Sequence, residues 1–254
     1  MLLRKKTNVN EGAWIEREIL GLHPLKFYIP EGLELDLYQN NAFVGVIPFM
    51  MKNVRPRWGP SISFISNFPE FNIRTYVKSR KTKGVFFLTL DAQSMITRIF
   101  ASNFYHLPYR YSRGYVTGKG QFYSWKSRRL IGDFGLEGSC EGVSEYSLAK
   151  KKSLEEFLFE RYYLFVTNRG KILKGYIYHK PWKLRVAKSK IINNNFLKSY
   201  SLGIKNVLKP DYCHQSKGVD VKAWPLKELD EWWEINCKQI IKNLINDWFL
   251  FMIR

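Results

Sequence analysis

The chain has 254 residues, of which 45% are hydrophobic, 16% aromatic and 25% charged, a composition that excludes intrinsic disorder and can fill one large core or two small ones. No stretch approaches the about eighteen apolar residues of a membrane-spanning helix, and Met1-Leu2-Leu3 runs straight into Arg4-Lys5-Lys6, so no secretory leader is read and a cytoplasmic protein is expected. Forty-one Lys and Arg against twenty-two Asp and Glu give a net charge of +19, the footprint of a binder of nucleic acid or anionic surfaces, although heavy use of Lys, Asn, Ile, Phe and Tyr also follows from AT-rich codons.

Asn10 to Leu22 shows weak periodicity, interrupted by Gly12 and Gly21. From Leu33 the pattern sharpens: Leu33, Leu35 and Leu37 alternate with Glu34, Asp36 and Tyr38, as in a half-buried strand. Gln39-Asn40-Asn41 forms a turn, and Ala42 to Met51 returns as a more apolar strand. The segment from Asn53 to Pro69, rich in Pro and aromatics, reads as a long loop of the kind that serves as a lid. Phe71 to Lys78 alternates again, Ser79 to Gly84 is a basic hairpin tip, and Val85 to Leu90 is the returning strand. Asp91 is placed to cap a helix through Ala92, Met95, Ile96, Ile99 and Phe100. Strands are then predicted at Tyr111–Thr117, Gln121–Arg128 and Phe134–Ser139.

Ser153-Leu154-Glu155-Glu156 is a capping box opening a short helix to Phe159. Tyr162–Thr167 and Ile172–His179 flank the turn Asn168-Arg169-Gly170. Further strands are read at Lys183–Lys188 and Val219–Ala223, and helical spacing from Leu226 onward predicts a C-terminal amphipathic helix that docks on the domain or forms a homodimer seam. Short strands throughout, with few helices, define a β-dominated α+β fold built on a strongly curved antiparallel sheet.

Standard catalytic and nucleotide-binding motifs are missing. Cys140, Cys213 and Cys237 are widely spaced, which argues against a disulfide framework and a zinc knuckle; His23, His106, His179 and His214 show no metal-ligand spacing. No cofactor is expected. Instead, Glu70, Asn72, Arg74 and Tyr76 project to one side of a single strand, because side chains alternate with period two. On a concave inner face they offer an acid, an amide, a fixed cation and a phenol, with the arginine fork suited to an oxyanion; on an outer face they are merely solvated. His106, between Tyr105 and Leu107-Pro108-Tyr109, is either an acid–base group or a packing residue. Glu160-Arg161-Tyr162 and His179 to Leu184 read more simply as structural.

Several of these segments occur together in a known order: Ile29-Pro30-Glu31-Gly32-Leu33-Glu34-Leu35-Asp36, Phe68 through Val77, Leu90-Asp91-Ala92, Leu107-Pro108-Tyr109, Glu160-Arg161-Tyr162, His179 through Leu184, and Gly218-Val219-Asp220-Val221 with Trp224-Pro225. In this the chain resembles the YqjF-like bacterial family of unknown function, of the acetoacetate decarboxylase-like superfamily, over roughly residues 25–228. The resemblance implies a cone-shaped, mostly antiparallel β-barrel with a central cavity and a few flanking helices. It also implies where a Schiff-base lysine pair would lie, at Phe104–Tyr109, and no lysine occurs between Lys83 and Lys119. Decarboxylation through a Schiff base is therefore not expected.

The chain thus divides into a remodelled N-terminal segment (1–24), a barrel domain (25–228) and a C-terminal amphipathic helix (229–254). The expected function is binding of a small anionic or carbonyl-bearing molecule, with Arg74 as anion clamp, Asn72, Tyr76 and Tyr109 as ligand contacts, and Glu70 and His106 as acid–base groups. A lyase-type enzyme and a non-catalytic carrier or sensor both fit, and a nucleic-acid-associated protein is the third class.

Overall fold

The computed structural model describes residues 5–19, 23–55, 66–80, 82–93 and 107–229. In chain order these form β1 (Lys5–Ile19), α1 (His23–Lys26), β2 (Glu34–Leu35), β3 (Ala42–Lys52), β4 (Phe68–Ser79), β5 (Thr82–Ala92), β6 (Tyr109–Lys119), β7 (Phe122–Arg129) and β8 (Gly135–Gly142). They continue with β9 (Ser147–Leu148), α2 (Leu154–Phe159), β10 (Tyr163–Asn168), β11 (Lys171–Tyr178), β12 (Lys183–Asn194), α3 (Asn195–Lys198), β13 (Tyr212–Ala223) and β14 (Lys227–Glu228). Most of the loop after Asn53, the helix read beyond Asp91, His106 and the C-terminal helix from residue 230 lie outside the described residues.

Strand pairing closes the sheet on itself. One circuit of nine strands runs β5-β6-β7-β8-β12-β13-β1-β3-β4 and returns to β5. A second, of seven strands, leaves β5 through β10 and β11 and rejoins at β13. Both are possible because β5 and β13 change neighbours along their length: Val85 and Phe86 pair with β10 while Leu90 to Ala92 pair with β6, and His214 to Ser216 pair with β12 while Lys222 and Ala223 pair with β11. Among the described strands only the β5–β6 and β5–β10 ladders are parallel, so the barrel is mixed but mostly antiparallel, as the resemblance implies.

The wall shared by the two circuits, β13-β1-β3-β4-β5, buries both faces. Ala13, Ile15, Val44, Val46, Phe71 and Ile73 point into the nine-strand interior with Trp125, Leu136 and Phe196. Trp14, Phe43, Ile47, Phe49 and Tyr76 point the other way, packing with Leu164, Val166 and, from α2, Leu158 and Phe159. A strand buried on both sides loses the polar–apolar alternation, which is why β3 reads as a nearly continuous apolar run.

Local chemistry accounts for the connections. Gln39 (φ 49°) and Asn40 (φ 67°) take the left-handed pair that a two-residue hairpin requires, and Arg169 (φ 49°) with Gly170 (φ 79°) repeats it. Ser153 caps α2 by accepting from the Glu156 N–H at 3.3 Å, while the Glu156 carboxylate accepts from the Lys152 N–H. Pro48, inside β3, has no N–H to donate; beside it the register of β1 shifts between Asn10 and Gly12. A Cβ at Gly12 would lie 2.6 Å from Phe49 Cβ, so only glycine lets the two strands meet there.

Some expectations are corrected. The strand over Leu33–Tyr38 shrinks to Glu34–Leu35, because Asp36 turns inward to Arg161 (2.6 Å) and Lys83 (3.1 Å). Asp91 does not cap a helix: it lies within β5, fully buried, where Arg129 grips it at 2.6 and 2.8 Å. β1, whose periodicity is weak, is a fifteen-residue strand of the wall. Cys140 and Cys213, distant in sequence, both lie as free thiols in the nine-strand interior, and Cys140 accepts from Gln215 Nε2 at 3.0 Å.

Candidate functional site

β4 keeps its alternation, because the irregularity opposite Ile73 and Arg74 is absorbed by β5. Glu70, Asn72, Arg74 and Tyr76 therefore share one face, and it is an inner one: Glu70, Asn72 and Tyr76 are at most 4% exposed and Arg74 is half-buried. Six residues of strand from Glu70 to Tyr76 span about 20 Å. Their contacts sort into two clusters, one at each end of that span.

At one end Tyr109 donates to Glu70 Oε2 at 2.7 Å, joining β6 to β4. Burial, then the neighbouring Glu70 carboxylate, pushes the Tyr109 phenol well above its usual range, so it stays a donor. His106, the intended acid–base partner here, lies outside the described residues.

At the other end the centre is Glu16, a residue the sequence reading passed over. It stands on β1, wholly buried, two residues from Trp14 on the same face. Tyr76 donates to Glu16 Oε1 at 2.8 Å. Its cross-strand neighbour is Gly45, where a Cβ would sit 2.6 and 2.8 Å from the two carboxylate oxygens. A lone glycine in the apolar run Ala42–Met51 marks a close approach, and that is the signal that leads to Glu16.

Burial raises the Glu16 pKa to about 7, against the lowering effects of the Arg74 charge and the Tyr76 hydrogen bond. Arg74 lies 5.6 Å from the Tyr76 ring centroid and donates through Nη2 to the Leu158 carbonyl at 3.3 Å, near the end of α2. Arg161 covers the same ring at 5.2 Å, pinned by its ion pair with Asp36 and a bond to the Phe157 carbonyl. Among the described residues, three buried polar atoms of this inner face have no hydrogen-bond partner: Glu16 Oε2, Asn72 Oδ1 and Arg74 Nε. Unmatched buried polar atoms are uncommon and costly, so a group of them on one face singles it out as the candidate site.

Glu160-Arg161-Tyr162 and His179 to Leu184 tie the start of β10 to the connection between β11 and β12. Glu160 accepts from the Tyr162 hydroxyl and the Trp182 N–H, and His179 stacks on Tyr162 with centroids 4.6 Å apart. Among the described residues, no group of three or more His, Cys, Asp or Glu is arranged to hold a metal ion.

Comparison with known proteins agrees with this architecture. Residues 22–220 match the family DUF2071, described as an uncharacterized conserved protein. The chain belongs to this family. An uncharacterized protein YqjF of Bacillus subtilis is 32% identical to it over 236 residues, covering 89% of this chain and 97% of that protein. Acetoacetate decarboxylase from Legionella pneumophila superposes with a TM-score of 0.63 at 11% identity, over 89% of this chain and 88% of that one. The enduracididine biosynthesis enzyme MppR, complexed with the condensation product of pyruvate and imidazole 4-carboxaldehyde, superposes with a TM-score of 0.57 at 9% identity, over 89% of both chains. The family member thus has the acetoacetate decarboxylase-like fold, and among its described residues no helix is long and apolar enough to cross a membrane.

Proposed function

We propose that this family member binds a small anionic or carbonyl-bearing molecule in the seven-strand interior, at Glu16, Asn72, Arg74 and Tyr76. The observation that carries the reading is the set of three unpartnered buried atoms on that face, one anionic or acidic, one amide and one cationic. Arg74 supplies a fixed positive charge and an unused N–H for an oxyanion, while Asn72 orients the ligand. Glu16, titrating near neutrality, is the acid–base group best matched to proton transfer at physiological pH. Glu70 and Tyr109 form a second hydrogen-bonded pair at the far end of β4, beyond the reach of the same small ligand.

Structural neighbours whose names contain acetoacetate and pyruvate support the choice of a short oxo-acid. A lyase-type reaction would proceed here without a Schiff base, since among the described residues no lysine is one of the charged neighbours that act on Glu16 and Tyr76. Native mass spectrometry of the full chain purified from its host, followed by calorimetric titration with pyruvate and acetoacetate, tests the reading. The expected result is a retained or titratable oxo-acid whose affinity falls at least tenfold in Arg74→Ala. Equal binding by Arg74→Ala and the parent, or none by either, overturns it.

A further inference from the structure

Another buried side chain with an unmatched atom, not used in that reading, is His214. His214, on β13, is 5% exposed, and neither ring nitrogen has a partner at hydrogen-bond distance among the described residues. Its Nδ1 has no partner, and Nε2 stands 3.8 Å from Glu155 Oε1, too far for a direct bond. Phe159 packs edge-on against the ring at 5.4 Å, so hydrocarbon rather than water fills that side. Burial holds the imidazole pKa below its usual value against the pull of Glu155, which leaves one N–H and one lone pair.

His214 and Glu155 both line a recess of about 280 Å³ between α2, β12 and the segment around β9. That is below the range of drug-sized pockets and suits a ligand of a few heavy atoms. Its other polar walls are Lys150, Ser144, Ser147 and Arg185. Arg185 is 7% exposed and rigid: Nε donates to Gln215 at 2.7 Å, Nη2 donates to the Gly120 carbonyl at 2.9 Å, and the guanidinium lies 4.5 Å from the Tyr146 ring centroid. Its Nη1 is in no hydrogen bond among the described residues.

We propose that this recess is a second small-molecule site that takes a short hydroxycarboxylate, with its carboxylate on Lys150 and Arg185 and its hydroxyl between His214 and Glu155. The gap fits that role. An oxygen 2.8 Å from both Nε2 and Oε1 sits about 2 Å to the side of the line joining them, accepting from the imidazole and donating to the carboxylate. A single carboxylate balances the excess of cations, whereas a dianion would meet Glu155. The site does not depend on the reading of the Glu16 cluster.

The test is an NMR titration of the full chain carrying ¹⁵N-labelled histidine, with the His214 signals assigned by their loss in His214→Gln. Glycolate and lactate are the probes, acetate the control without a hydroxyl, and sodium chloride the control for ionic strength. The expected result is a saturable shift at His214 with glycolate or lactate, at least tenfold weaker with acetate. Lys150→Ala, an exposed substitution that leaves the wall intact, weakens it about tenfold, and Arg74→Ala leaves it in place. A shift that never saturates, one that Lys150→Ala does not weaken, or one abolished by Arg74→Ala overturns the proposal.

Discussion

Replacing Glu16 by Gln isolates the electrostatics of the inner cluster. Glutamine keeps the shape and still accepts from the Tyr76 hydroxyl, but it has no proton to lose. Glu16 titrates at about 7 in the folded protein against 4.5 in its ordinary setting. Below pH 4.5 both the folded and unfolded chains carry it protonated, and its full stabilising contribution is present. Between 4.5 and 7 the folded state holds a proton that the unfolded state releases, so stability falls as pH rises through that window. The difference of about 2.5 units corresponds to about 3 kcal/mol. Glu16→Gln therefore gains about 3 kcal/mol relative to the parent between pH 4.5 and pH 8, or about 6–12 °C in Tm for a domain of this size. Urea denaturation of both proteins at a series of pH values reads this directly. A stability difference that stays flat across the window would mean that the carboxyl titrates as if in water, and the case for a dry acid–base group would fall.

Three further substitutions probe the supports. Gly45→Ala places a methyl group against both Glu16 oxygens and forces the carboxyl off Tyr76; a loss of about 1–3 kcal/mol is expected, together with loss of the pH dependence above, in the same denaturation series. Asp91→Asn breaks the buried two-point ion pair with Arg129 and leaves that cation half-matched, which should cost about 3 kcal/mol, read from the urea midpoint. Ser153→Ala removes the cap of α2 at a cost of about 1 kcal/mol, and calorimetry should show weaker oxo-acid binding, because the Leu158 carbonyl that steadies Arg74 rides on that helix.

The parts of the fold legible in the sequence are those where a strand sees two different environments or a turn needs a particular residue. β4 announces itself because Phe71, Ile73 and Val77 alternate with polar partners, and the hairpin at Arg169-Gly170 because left-handed backbone there favours glycine. The first half of β13 is silent: Cys213, His214, Gln215 and Ser216 have no strand signature, yet all are buried, since Arg185, Cys140 and the wall satisfy much of their polarity. β1 is silent for a related reason. Glu16 occupies an inward position that pattern reading reserves for an apolar side chain, and its justification lies across the ladder at Gly45 and sixty residues on at Tyr76. Three of the four side chains of the inner cluster are thus readable from β4, while its centre, Glu16, is visible only from the register of β1.

The place of β1 between β3 and β13 has a consequence for biosynthesis. Its partner on one side follows within a few dozen residues, but the other neighbour begins only at Tyr212. At translation speeds of about 5–20 residues per second, roughly 10–40 s separate the emergence of the first strand from that of the one that completes it. Throughout that interval the growing chain carries a wall with two greasy faces and an open ladder edge, and it cannot lock until β13 has left the ribosome.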